Sequence, residues 1–283
     1  MGKETALTNK HVYLDELAVI SNYNTDPCDL IKKFKNVALY DQSDSDFIKH
    51  LIKVNYPQSI ITKNSGHSLS NYFLYIINNY HNLPETIYFL KSNVSPRHIS
   101  EESLVKKLNI NGVIPIFDDK AFKDKPRKAY HLVPGYFIER NNSWFMSGKE
   151  PKYFSSCDGL LQWLFVNPIT PEYLLFAPGA NYKTYGENLK NYPIVFWQLL
   201  NHIVSYKFFP PEAYIVERVL FIIFTGEYEL NSENFEANWL EKLESKSKSL
   251  VIGATKPHPT KFSWLKKRVL SKIIYELDKR KLI

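Results

Sequence analysis

The sequence predicts an α/β protein with a mainly parallel central sheet flanked by helices, followed by a basic helical tail. Three observations carry this. Short β-rich apolar runs at Leu17–Ile20, Val37–Tyr40 and Thr86–Leu90 alternate with helical patterns, and such alternation is the mark of parallel βα units. Each run empties into a polar stretch. From Trp264 to Ile283, Leu265, Val269, Ile273 and Leu277 recur at helical spacing among Lys266, Lys267, Arg268, Lys272, Lys279, Arg280 and Lys281.

The elements follow in order. Leu17–Ile20 is the first strand, and Asp26 and Pro27 open a helix through Leu30, Ile31 and Phe34. Val37–Tyr40 is the second strand, ending at Asp41, and Phe47, Ile48, Leu51 and Ile52 mark the next helix. Leu69, Tyr72, Phe73, Ile76, Ile77 and Tyr80 lie on one face of a helix over Ser68–Tyr80, opened by Gly66-His67 and stopped by Pro84. Thr86–Leu90 is then a buried strand. Ser100 caps a helix over Glu101–Leu108, and Val113–Phe117 is an edge strand, since Pro115 lacks the N–H a central ladder requires.

From Asp118 to Tyr153 the chain is polar and aperiodic. Gly159–Val166 is apolar, Tyr173–Phe176 is a strand, and Asn188–Ser205, Ile215–Phe224 and Glu233–Leu243 are helical. The domain is expected to span 1–244, with a linker over Ser245–Thr260 leading to the tail. A basic amphipathic helix either lies on an anionic bilayer or packs on the domain with its lysines solvated.

Composition narrows the function classes. With 44% hydrophobic residues, 19 Tyr and 18 Phe the chain is globular, and no apolar run reaches the ~20 residues of a membrane span. The N-terminus lacks an apolar leader, and Gly2 alone is weak support for acylation. Cys28 and Cys157 are far apart and lack metal-ligand spacing, which suits a reducing cytoplasm. Net charge is +7, compatible with a phosphorylated substrate or an anionic membrane, but it is too dispersed to suggest nucleic acid. The common P-loop, dinucleotide, zinc and nucleophile-elbow motifs are absent. Function must come from polar groups at strand ends.

VISNYNTD after the first strand, VALYDQ after the second, and the glycine-led helix with NNYHNLPETIYFLKSN together resemble an uncharacterised glycosyltransferase-like family of fungi and bacteria. LLFAPGANYKTYGENLKNYPIVFWQLL and YIVERVLFIIF extend the resemblance to Phe224. It implies a GT-A-like fold and transfer of a sugar from a nucleotide-sugar donor to a surface glycan or glycolipid. A non-catalytic glycan- or lipid-binding module and a sugar phosphotransferase are the alternatives.

Strand carboxyl ends are where such a donor binds. Asn22, Asn24 and Asp41 are candidates for the base and ribose; His67, Ser68, Lys91, Asn93, Arg97, His98 and Gly179 complete the donor set. Metal-dependent GT-A enzymes carry a carboxylate pair where this chain has Lys91-Ser92-Asn93, and a lysine and an amide do not replace anionic oxygen ligands. No cofactor is therefore expected, with Asp118-Asp119 as the fallback site for Mn or Mg. Asp44 and Asp46 fall too early for that role. The general base is Glu217, a carboxylate in an apolar helix, or else Asp158, whose alternative role is a helix cap. The expected setting is cytoplasmic, either free or peripheral at the inner membrane face.

Overall fold

The computed structural model describes residues 15–118, 137–226 and 228–253. Strands β1 (Glu16–Asn22), β2 (Val37–Asp41), β3 (Ile60–Ile61), β4 (Thr86–Lys91), β5 (Ile114–Pro115) and β8 (Tyr182–Tyr185) form a sheet in the order β3-β2-β1-β4-β8-β5. The first four run parallel, and β8 pairs antiparallel with both β4 and β5. This is a mainly parallel α/β sheet. Strands β6 (Phe137–Arg140) and β7 (Tyr173–Phe176) form a separate antiparallel ribbon.

β1 shows how the layers arise. Leu17 and Val19 join a large core built with helix α3 (His67–Asn79), α8 (Ile194–Ser205) and α9 (Glu212–Thr225). Ala18 and Ile20, pointing the other way, join a second core with Leu30, Ile52, Val94 and Leu104 from α1 (Cys28–Ile31), α2 (Asp46–Asn55), α4 (Val94–Arg97) and α5 (Glu101–Leu108). A strand buried on both faces needs no polar alternation, which is why its run is uninterrupted. No helix among the described residues is long and apolar enough to cross a membrane.

Several boundaries differ from the sequence expectations, for physical reasons. Residues Asn188–Ser205 are not one helix: α7 (Gly186–Lys190) ends before Pro193, which caps α8. The polar stretch after Asp118 contains β6, hidden because Glu139 is charged, although it is 1% exposed. β8 was hidden by Lys183, whose ammonium is drawn off to the carbonyls of Leu108 and Ile110 at 3.0 and 2.9 Å. The expected linker from Ser245 begins inside α10 (Trp239–Gly253). There Leu243 and Ser247 share a buried stripe, and a buried serine leaves no apolar periodicity to detect. The basic tail 264–283 lies outside the described residues.

The entry to α3 is fixed by contact. Gly66 has φ +65°, and a Cβ there would lie 2.3 Å from the Val204 carbonyl oxygen on α8. Only glycine brings the helix start that close. Gly66→Ala is expected to cost about 2–5 kcal/mol, combining left-handed strain with overpacking, and to lower the melting temperature accordingly.

Candidate functional site

Because β2 and β4 both run parallel to β1 on opposite sides, the chain reverses its winding direction at β1, and the crevice between the carboxyl ends of β1 and β4 is the switch point where α/β sheets bind ligands. The two loops meet there: the hydroxyls of Thr25 and Ser92 are 2.6 Å apart. Register places Asn22 opposite Asp41 and Ser21 opposite Lys91.

On the β2 side the polar groups form a connected network. Asn22 Nδ2 donates to Asp41 Oδ1 at 3.0 Å, and Ser43 donates to the same oxygen from its hydroxyl at 2.6 Å and its backbone N–H at 3.3 Å. Asn22 Oδ1 accepts from the Thr25 hydroxyl at 2.8 Å. Asn71 Nδ2 donates to Ser21 Oγ at 2.8 Å, tying α3 to β1. Two acceptors are left over. Asp41 Oδ2 and Gln42 Oε1 are buried and have no hydrogen-bond partner among the described residues, although Asp41 is 0% exposed. The Gln42 amide is oriented by donation from Nε2 to the His67 carbonyl at 3.1 Å, so its oxygen is the atom left open.

On the β4 side the groups converge on the turn Ala177–Ala180, closed by the Ala180 N–H donating to the Ala177 carbonyl at 2.8 Å. Gly179 stands at φ +92°, and the ideal position of its missing Cβ is 2.8 Å from His98 Nε2 and 2.9 Å from Asn181 Nδ2. Its N–H donates to Glu217 Oε1 at 2.7 Å, and its carbonyl accepts from Ser68 Oγ at 3.4 Å. Burial pushes the Lys91 ammonium below the ordinary lysine range; the Glu217 carboxylate opposes that shift and the Arg97 guanidinium adds to it. Asn93 stands at the start of α4, partly buried.

At the rim, the His67 ring lies edge-on to Phe209 at 4.1 Å and to Tyr214 at 6.1 Å. Phe208 and Phe209 are 54% and 46% exposed. Burial, with Lys91 second, depresses the His67 imidazole to about 4.

His67, Ser68, Lys91, His98, Gly179 and Glu217 are thus gathered around one turn, and Asn22 and Asp41 around the adjacent strand ends. The other expected residues are placed differently. Asn24 bridges two loops: Nδ2 donates to Asp44, and its oxygen accepts from the backbone of Asp44 and Ser45 at 3.1 and 3.0 Å. Asp158 is in the first turn of α6 (Cys157–Leu164), where Asn141 Nδ2 donates to it at 2.6 Å while Ser156 provides the cap, so the capping role belongs to Ser156. Asp118 accepts from Ser103 Oγ at 2.8 Å, and Asp119 lies outside the described residues. Among the described residues no three His, Cys, Asp or Glu side chains are grouped to hold a metal.

Sequence reasoning missed Ser43, Asn71 and Asn181. The first two are polar residues inside stretches read for apolar pattern, and Asn181 precedes a strand that its own lysine concealed.

The partner of Arg218 also emerges only from the structure. Nε and Nη2 donate to the two oxygens of Glu139 at 3.2 and 3.1 Å in a bidentate pair whose side chains are 7% and 1% exposed. Glu217 approaches Arg218 only at 3.5 Å and is 22% exposed. Compared with known proteins, the chain matches no family model, no curated protein and no solved structure.

Two outcomes follow from these partners. Glu139→Gln leaves a buried guanidinium uncompensated and is expected to cost roughly 3–5 kcal/mol in chemical denaturation. Glu217→Gln keeps an acceptor for the Gly179 N–H and should cost about 1 kcal/mol or less. For His67 the folded-state value lies below the unfolded one, so the unfolded chain takes up the proton first as pH falls. Stability should therefore decline from about pH 6.5 to about pH 4, by up to about 1.4 kcal/mol per unit from this group, and His67→Gln should flatten that part of the profile.

Proposed function

We propose that the protein is a glycosyltransferase of GT-A-like architecture that moves a sugar from a nucleotide-sugar donor to a glycan or glycolipid acceptor without a metal held by an Asp-x-Asp pair. The observation that carries this reading is Asp41 Oδ2, a fully buried carboxylate oxygen with no donor, beside the switch-point crevice. An unmet buried acceptor is costly and calls for a ligand donor. With Gln42 Oε1 also open, the β2 side suits an N–H-bearing base such as uracil or guanine, while Lys91, backed by Arg97, suits the diphosphate on the β4 side.

In this mechanism the acceptor hydroxyl oxygen attacks the anomeric carbon and the bond from that carbon to the diphosphate oxygen breaks. The diphosphate leaves with the electron pair, its charge met by Lys91. The hydroxyl proton passes to Glu217, whose Oε1 is already oriented by the Gly179 N–H. The exposed Phe208 and Phe209 next to His67 offer the acceptor an aromatic rim.

A second reading has its own observation. The 2.7 Å bond from Gly179 to Glu217 also fits a carboxylate whose task is to hold a turn, as in a non-catalytic binding module on the same fold.

Incubation with UDP- and GDP-sugars and an acceptor panel separates the two, because only the enzyme releases nucleoside diphosphate. Turnover should persist in EDTA. Glu217→Gln should reduce kcat by ~100-fold or more with donor affinity nearly unchanged. Asp41→Asn, which replaces the open oxygen by an N–H2 donor, should weaken nucleotide binding by ~10-fold or more in calorimetry. Tight nucleotide binding without turnover points to the binding module, and undiminished binding by Asp41→Asn removes the base site from Asp41.

A further inference from the structure

Asn181 takes no part in the reading of the sequence, yet it is the most unusual polar residue near the turn. It is 0% exposed and directly precedes β8. Its backbone carbonyl accepts from the Ile116 N–H at 2.9 Å, holding the strand that follows Gly112 against β8. Its side-chain oxygen accepts from the Lys91 N–H at 2.8 Å. That bond decides which way the amide faces, since an N–H2 group there would oppose a donor with a donor. Nδ2 is therefore turned away from the Lys91 backbone, and it is buried without an acceptor among the described residues. Native chains rarely leave such a group unmet unless something outside the chain meets it.

The surroundings say what that something is. Nδ2 of Asn181 and Nε2 of His98 lie 2.9 and 2.8 Å from a single point beside Gly179, where any other residue would carry its Cβ. Lys91 contributes a partly buried ammonium, and Arg97 lies close enough to perturb it. The absent Cβ lets Asn181 Nδ2 pack directly against Gly179, which places the open amide at the turn. A neutral amide donor beside a desolvated ammonium is suited to an anionic oxygen.

We infer that Asn181 and Lys91 form a diphosphate site at the Gly179 turn, with Asn181 Nδ2 donating to a phosphate oxygen that has no need of a bridging divalent cation. Its assignment to the donor's diphosphate rests on the glycosyltransferase reading; the anion site itself rests on the open Asn181 amide and its bond to the end of β4. The amide bond from Asn181 to the Lys91 backbone links the two ligands of the anion, so the turn and the end of β4 act as one receptor. Glu217, held by the Gly179 N–H, partly opposes the lowering of the Lys91 ammonium that burial causes.

The test is calorimetry with the full chain in EDTA, titrated with inorganic pyrophosphate and separately with UDP and GDP. Asn181→Asp retains the oxygen that the Lys91 N–H requires but removes the donor and adds a negative charge. It should weaken pyrophosphate binding by ~10-fold or more while the melting temperature stays close to that of the wild type. Asn181→Ala removes both and should lower affinity and melting temperature together. If Asn181→Asp unfolds, Lys91→Met provides the second readout, and it too must lose pyrophosphate.

Wild-type protein that ignores pyrophosphate in EDTA, or an Asn181→Asp variant that binds it normally, overturns the inference. The two readings fail separately. Pyrophosphate binding that depends on Asn181, in a protein that transfers no sugar, keeps the anion site and removes the transferase. Sugar transfer with normal donor affinity in Asn181→Asp keeps the transferase and removes Asn181 from it.

Discussion

The site depends on β1 being paired in parallel with β2 on one side and β4 on the other. Parallel pairing brings all three carboxyl ends to one edge, and the register then decides which side chains meet there. A shift of β2 by one residue would turn Asp41 to the opposite face and separate it from Asn22. Register is in turn enforced by the two cores, since Leu17 and Val19 must face α3 while Ala18 and Ile20 face the helices on the other side. The polar chemistry of the strand ends is therefore held by apolar burial several residues away, the ordinary way in which a rigid scaffold positions a loop-borne site.

The second constraint is the use of α9 for two unlike carboxylate partnerships. Arg218 is committed to Glu139 on β6, which fastens the small ribbon to the helix. The guanidinium also lies over the Phe145 ring at 3.8 Å, so its face is covered as well as its edge. With Arg218 taken, the next residue back is left to face the turn at Gly179. Adjacent residues on a helix point in different directions, and α9 uses that divergence to separate a structural pair from a carboxylate in the candidate site.

Legibility in the sequence followed burial on two faces. β1, β2 and β4 carry unbroken apolar runs, and α3 and α9 carry clear periodicity, so both the mainly parallel sheet and the strand-end position of Asn22, Asp41 and Lys91 could be read directly. Three places where a charged or small polar residue is buried failed to show. Glu139 in β6, Lys183 in β8 and Ser247 in α10 each look like solvent-facing residues until their partners or their packing are seen. Asn24 and Asp158 illustrate the converse. A polar residue at a strand end or helix start can be consumed by its own neighbours, and the sequence does not record which one is left over.

That remainder carries the functional argument. Around β2 the network satisfies Asn22 and Ser43 and leaves two acceptor oxygens, on Asp41 and Gln42. Around the Gly179 turn it satisfies the Lys91 backbone and leaves a donor, on Asn181, beside an ammonium. The unmet groups are thus sorted by sign across the β1–β4 crevice. A ligand that matches both ends must present donors on the β2 side and anionic acceptors on the β4 side. A pyrimidine or purine with a ring N–H joined to a diphosphate has that polarity, whereas a neutral glycan offers hydroxyls of both kinds throughout and gives no reason for the sorting. A site that served the acceptor alone would not divide its open groups this way, and that division is what the proposal of a nucleotide-bound donor rests on.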